Sequence, residues 1–188
     1  MSEADREKWN ARYREQSSVK TEAAALLVSA AERLPASGRV LDVAGGTGRN
    51  AIWLARRGLD VTLVDISEVA LEIARREAAK VDAPLHTIEA DLEFDAFPPG
   101  PWDVIVSIKY LQRRLFDVFA QSLAPGGLLI YAQPTRSNLL RHPKPGTRFL
   151  LEDGELPSLI GDLEVLDYHE GWQEEGRHEA QLIARRRE

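Results

Sequence analysis

The chain has 188 residues, 44% of them hydrophobic, and a formal charge of −6, which suits one globular domain with a sizeable core. The absence of cysteine excludes disulfide frameworks and thiolate metal sites, and His86, His142, His169 and His178 lack ligand spacing, so no catalytic metal is expected. The acidic balance argues against general nucleic-acid binding; the charged start "MSEADREKWN" and the lack of an apolar run of roughly 20 residues point to a soluble, cytoplasmic protein with neither signal peptide nor membrane span.

In chain order, residues 3–15 form a strongly charged helix with Trp9 and Tyr13 on one face at i, i+4 spacing. "TEAAALLVSAAERL" repeats its apolar residues at helical period, predicting a helix over 21–34. "RVLDVA" is a short β-branched run read as a buried strand, and it enters Gly45, Gly46 and Gly48 directly. "NAIWLARRG" is a helix stopped by Gly58, and "DVTLVD" a second strand. "SEVALEIARREAAK" is a helix with Ser67 as N-cap. Strands "LHTIEAD" and "WDVIVSIKY" follow, then a helix through "RRLFDVFAQSLAPGG" ended by Pro125-Gly126-Gly127, and the strand "LLIYAQ". "DGELPSLIG" is a short helix, and "LEVLDYHEG" and "EAQLIARR" are two closing strands joined by "WQEEGRH".

Alternating helices and near-continuously apolar strands predict an α/β fold with a doubly wound parallel sheet, Rossmann-like, covered by helices on both faces. The last two strands have no room for a crossover helix and must pair antiparallel, so the last strand alone runs against the sheet. The expected organisation is one domain over 1–188, with N-terminal helices or a lid in 1–36 and the core in 37–188.

Ligands of such sheets lie beyond the carboxyl ends of the strands, where the first strand turns into its helix. The glycine turn is there. Two cofactors compete for it, because "GTGRNA" also satisfies the dinucleotide fingerprint G-x-G-x-x-G/A, which keeps an NAD(P)-binding oxidoreductase in view. Asp42, three residues ahead of the glycines, would repel a pyrophosphate and attract an ammonium or sulfonium. Asp65, closing the second strand, can accept both ribose hydroxyls of either cofactor. Asp91 with Leu92, just past the third strand, offers an acceptor for an exocyclic amine and an apolar wall for a purine. Amino acid, ribose and adenine are outlined in turn.

"VLDVAGGTGRNAIWLARRGLDVTLVDIS", "EADL" and "LAPGGLLIY" together resemble the class I S-adenosylmethionine (SAM) dependent methyltransferase family, over roughly Arg39 to Arg186. "WNARY" and the short chain resemble its small TehB-like (tellurite-resistance-like) group. Ala44 departs from the family, which usually has glycine there; alanine fits if its backbone does not need positive φ. The resemblance implies that Asp42, Ala44, Gly45 and Gly46 hold the methionine end of SAM, with Asn50 and Arg49 contributing from the following helix. It implies that Asp65 holds the ribose, Ile66, Asp91 and Leu92 frame the adenine, and Ser107 sits near the sulfonium. A non-catalytic SAM-binding sensor is the alternative to an enzyme.

Methyl transfer from a sulfonium needs alignment and desolvation, and a general base only if the acceptor keeps its proton. Tyr110 and His142 are the candidate bases, each with a structural role as its alternative. Trp9 and Tyr13 are read either as a lid over the cofactor or as a docking face for a polar helix. Arg136, Arg141, Lys144 and Arg148, with Lys109, Arg113 and Arg114, lie in acid-free stretches after the fourth and fifth strands. They suggest a small-molecule acceptor of anionic character, a carboxylate or an oxyanion.

Overall fold

The computed structural model describes residues 3–16 and 18–188. Strands β1 (Arg39–Val43), β2 (Asp60–Asp65), β3 (His86–Glu89), β4 (Trp102–Ile108), β5 (Leu123–Pro134), β6 (Glu164–Trp172) and β7 (His178–Arg185) form one sheet in the order β3-β2-β1-β4-β5-β7-β6. Pairing is parallel from β3 through β5. It is antiparallel between β5 and β7 and between β7 and β6. Only β7 therefore runs against the sheet, as the short connection between the last two strands requires.

Helices α1 (Glu3–Arg14), α2 (Ala25–Ser29), α3 (Arg49–Ala55), α4 (Glu68–Ala79), α5 (Leu115–Ser122) and α6 (Leu156–Leu159) accompany it. The strand alternation sends successive residues to opposite faces. Val40, Leu63, Val104 and Ile130 pack with Leu27, Leu54 and Leu71 on one face; Leu41, Val43, Ile105 and Leu129 pack with Phe116, Phe119 and Leu156 on the other. Leu41 is fully enclosed, and its truncation to alanine would cost about 2–5 kcal/mol. The parity of β1 places Asp42 on the side of Val40, facing the layer of α3 and α4.

Two elements differ from expectation. The predicted helix over 21–34 is reduced to α2 and a 3₁₀ turn at Ala31–Arg33. The N–H of Ala24 donates to Oδ1 of Asn50 at 2.9 Å, so the chain turns helical only at Ala25. At the other end Pro35 forces Leu34 into extended backbone (ψ 143°). The second difference is at "LAPGG", which enters β5 as an irregular strand start instead of ending the helix, so that α5 stops at Ser122. Leu123 already pairs with Trp102, and the register shifts before Val104 meets Leu128.

Helix α1 buries none of its residues fully, so its apolar burial is slight. Polar ties hold it. Ser67 Oγ donates to Asn10 Oδ1 at 2.6 Å, Arg6 lies 3.6 Å from Glu89 and Arg148 lies 3.5 Å from Asp5.

Candidate functional site

Asp42, Asp65, Asp91 and Ser107 all sit at or just beyond the carboxyl ends of four adjacent strands, β1, β2, β3 and β4. All four are buried, as are Ile66 and Leu92. Side-by-side pairing of Asp42 with Leu63 and Val106, of Asp65 with Glu89, and of Val43 with Ser107 brings them to one edge. The acids are therefore gathered by register, although 49 positions separate Asp42 from Asp91.

The turn after β1 is tightly built. Ala44, Gly46 and Gly48 have φ of +52°, +59° and +81°. The condition set for Ala44, a backbone without positive φ, is not met: it occupies the left-handed region, where an L-residue carries about 1–2 kcal/mol of strain. A Cβ on Gly45 would overlap Leu63 Cδ1 and Asp42 Oδ2. Glycine is required there by the turn's own packing. A Cβ on Gly46 would stand 2.6 Å from the Tyr13 hydroxyl.

The two acids nearest this turn differ sharply in their bonding. Asp65 accepts the N–H of Gly46 at 2.8 Å and that of Ser67 at 2.9 Å, one on each oxygen. Burial raises its pKa, and these backbone donors oppose the rise. Each oxygen keeps a lone pair for a further donor. Asp42 is enclosed, with neither oxygen in a hydrogen bond. Burial pushes its pKa up to about 7, a rise that Asp65 reinforces and that the Ala51 N–H, turned toward it but outside hydrogen-bond geometry, and Arg49 only partly offset. A buried carboxylate without a donor is costly, and a cation brought to it would remove that cost.

Ser107 Oγ and Tyr110 Oη are likewise buried without partners. Burial raises the Tyr110 pKa above the usual phenol range, and Glu93 and Asp91 push it further. Tyr110 is therefore a hydrogen-bond donor near Glu93 and Asp91, and it does not ionise readily enough to be a base. It follows Lys109, whose φ is +67°, so strained residues flank the site at the ends of both β1 and β4. Tyr13 rests on the glycine turn and stacks with Trp9 at 6.0 Å between ring centres. Burial and the charge of Asp65 raise its pKa.

Other expected residues lie elsewhere or are occupied. Asn50 spends its carboxamide oxygen on Ala24, which makes it a brace for α2. His142 Nε2 is bonded to the Gly176 carbonyl at 2.7 Å, so that nitrogen serves as a donor holding a loop. Arg136 lies 3.2 Å from Glu152, and Arg141 lies over the Trp172 ring at 3.9 Å. Sequence reasoning missed Asn10, whose side chain fastens α1 to the residue that caps α4. The one local signal was an asparagine, a poor helix former, inside the helix.

Residues 40–127 match the methyltransferase domain family. The ubiquinone biosynthesis O-methyltransferase of Xylella fastidiosa is 34% identical over 116 residues, 56% of this chain and 46% of that protein. The demethylmenaquinone methyltransferase of Thermus thermophilus is 36% identical over 100 residues, 49% of this chain and 45% of that protein. This chain spans about half the length of the curated relatives it matches. The crystal structure of TehB from Haemophilus influenzae superposes with a TM-score of 0.74 at 22% identity, covering 97% of this chain and 67% of that one. Residues 40–127 carry that family match, and the sheet order with antiparallel β7 is that of the class I SAM-dependent methyltransferase fold. SAM is the cofactor of this family. The buried, donor-free carboxylate of Asp42 and the remaining acceptor capacity of Asp65 fit its ammonium and its ribose hydroxyls.

Proposed function

We propose that this chain is an enzyme that binds SAM at the carboxyl edge of β1–β4 and methylates a small-molecule acceptor entering over β4 and β5. The observation that carries the reading is Asp42: a wholly buried carboxylate with no hydrogen-bond donor beside the glycine turn. A dinucleotide pyrophosphate would add negative charge beside it, whereas the SAM ammonium would neutralise it.

In this reading Asp42 receives the ammonium, and Gly45 and Gly46 leave room for the methionine carboxylate. Asp65 accepts from the ribose, while Ile66, Leu92 and Asp91 frame the adenine. Ser107 Oγ, unpartnered at the end of β4, offers a dipole near the reacting centre. Bound SAM supplies an electrophilic methyl on sulfur. The chain's own residues contribute alignment and exclusion of water, and Tyr110 donates a hydrogen bond to cofactor or acceptor. Tyr110 stays protonated and does not suit a base, and His142, whose Nε2–H is held by the Gly176 carbonyl, keeps only Nδ1 for that role, so an acceptor already deprotonated near neutral pH is favoured. Tyr13 and Trp9 on α1 act as the lid and must shift from the turn when the methionine end enters.

The anionic character expected of the acceptor finds less support. Lys109 lies near Glu175 and Glu179, Arg113 pairs with Glu155, Arg136 with Glu152 and Arg148 with Asp5. Arg114 donates to the Leu92 carbonyl. Arg114, Arg141 and Lys144 remain without an acidic partner among the described residues, too few for a strong anion-binding surface.

Thermal unfolding with SAM, its demethylated product and NAD in parallel tests the reading. A ligand at 100 times its dissociation constant adds about 2.7 kcal/mol, so SAM and its product should raise the melting temperature and NAD should not. A rise with NAD alone would overturn it. Acceptor screening with methyl-labelled SAM then separates an enzyme from a sensor.

A further inference from the structure

We propose that Asp153, Glu170 and His178 form a site for a first-row divalent cation such as Mn²⁺ or Zn²⁺, fastening the β6–β7 hairpin to the segment that follows β5. One oxygen of each carboxylate and one ring nitrogen of the histidine lie within 4.8 Å of one another. Donors sharing a cation at about 2.0–2.2 Å sit roughly 3–4 Å apart, so a small closing movement completes the set. Histidine spacing along the chain gave no sign of it. The three residues come from the turn before α6, from β6 and from β7, and only the antiparallel pairing brings them together.

Charge and bonding favour an ion here. Among the described residues neither acid has a lysine or arginine partner. The His178 ring is fixed by Thr135, whose Oγ1 lies 2.7 Å from Nδ1, the kind of outer support that orients metal-binding imidazoles. The acids are oriented too: Ser137 N–H donates to Asp153 at 3.1 Å, and Gly154 N–H reaches both oxygens of Glu170 at 3.0 Å. Two carboxylates with one imidazole form a mixed oxygen and nitrogen set suited to Mn²⁺ or Zn²⁺ and poorly suited to soft ions.

A second observation stands apart from the cluster. In the sheet, Gln133 of β5, Ala180 of β7 and Glu170 of β6 occupy one cross-strand row, and the next row is Thr135, His178 and Trp172. Paired residues share a face, so Gln133 lies on the face of the cluster with only an alanine between it and Glu170. Gln133 is 2% exposed and its Oε1 has no partner, while its Nε2 is committed to the Phe149 carbonyl. That leaves a buried, unpartnered amide oxygen, a hard donor, on the sheet face that carries Glu170 and His178.

The test is calorimetric titration of Mn²⁺ and Zn²⁺ into the metal-free full chain, repeated in Asp153→Asn, Glu170→Gln and His178→Gln, with His86→Gln as control. Circular dichroism checks each variant's fold; Asp153 is exposed, so its variant keeps the question open if a sheet variant misfolds. The proposal expects one tight equivalent in wild type and in His86→Gln, at least tenfold weaker binding in the three cluster variants, and a metal-dependent rise in melting temperature that they lose. Absence of binding in wild type, or equal binding in wild type and Asp153→Asn, would overturn it. Neither outcome depends on SAM, so the cofactor reading stands or falls separately.

Discussion

The sheet edge at the carboxyl ends of β1–β4 and its continuation past the end of β5 and the start of β7 are both rich in charge, and they handle it in opposite ways. At β1–β4 the acids are buried and bonded to backbone donors or, at Asp42, to nothing. At β5–β7 most of the charged groups have met one another: Arg113 with Glu155, Arg136 with Glu152, Lys109 with Glu175 and Glu179. A buried polar group left unsatisfied costs stability that only a ligand recovers. A group already paired at the surface makes no such demand. The contrast separates the proposed cofactor site from what the charge pattern alone suggested was an acceptor site.

The comparison can be broken or sharpened by substitution. The largest effect is expected at Asp65. Asp65→Ala removes acceptors for two ribose hydroxyls, charge-assisted bonds of roughly 1.5–3 kcal/mol each, and frees the N–H groups of Gly46 and Ser67. SAM affinity measured by calorimetry should fall by more than about 100-fold, with a lower melting temperature. Retained affinity would remove Asp65 from the site.

Asp42→Asn should separate stability from binding. The folded pKa of Asp42, about 7, lies above the roughly 3.9 of an unfolded carboxyl. Between those values the folded chain holds a proton that the unfolded chain has lost, so stability falls as pH rises through that window. The asparagine variant escapes this cost. Denaturant unfolding should show it more stable than wild type at pH 8, on the order of 2 kcal/mol, with the gain shrinking toward pH 4. A variant less stable at pH 8 would mean that the carboxylate is satisfied after all.

Smaller effects belong to Ala44 and Arg141. Ala44→Gly relieves left-handed strain but frees the unfolded chain by about 0.4–1 kcal/mol, so urea unfolding should show a net change below about 1 kcal/mol. A large loss would mean that the alanine methyl has a packing role. For Arg141→Glu, kcat/KM across a salt series should change least of all, because the guanidinium is stacked on Trp172 and few free cations surround it. A tenfold, salt-sensitive loss would restore the anionic acceptor.

What could be read from the sequence follows the same division. The strands, the glycine turn and the acids at the strand ends are local patterns whose placement the parallel register then completes, so the gathering of Asp42, Asp65 and Asp91 at one sheet edge could be stated in advance. The length of α2 could not, because its start depends on Asn50, 26 residues away. Nor could the neutralisation of Arg113, whose partner Glu155 is 42 residues distant. The strain at Ala44 was missed for a different reason: residue type predicts a preference for φ, and here the packing of the turn overrides it.

The central claim is that Asp42 receives the cationic end of SAM. Calorimetric titration of SAM and adenosine into wild type and Asp42→Asn at pH 8 tests it most directly. The account predicts at least a tenfold loss for SAM in the variant, little change for adenosine, which lacks the ammonium, and weaker SAM binding to wild type as pH falls below 7 and Asp42 takes up its proton. Equal losses for both ligands, or SAM affinity untouched by the substitution, would contradict it.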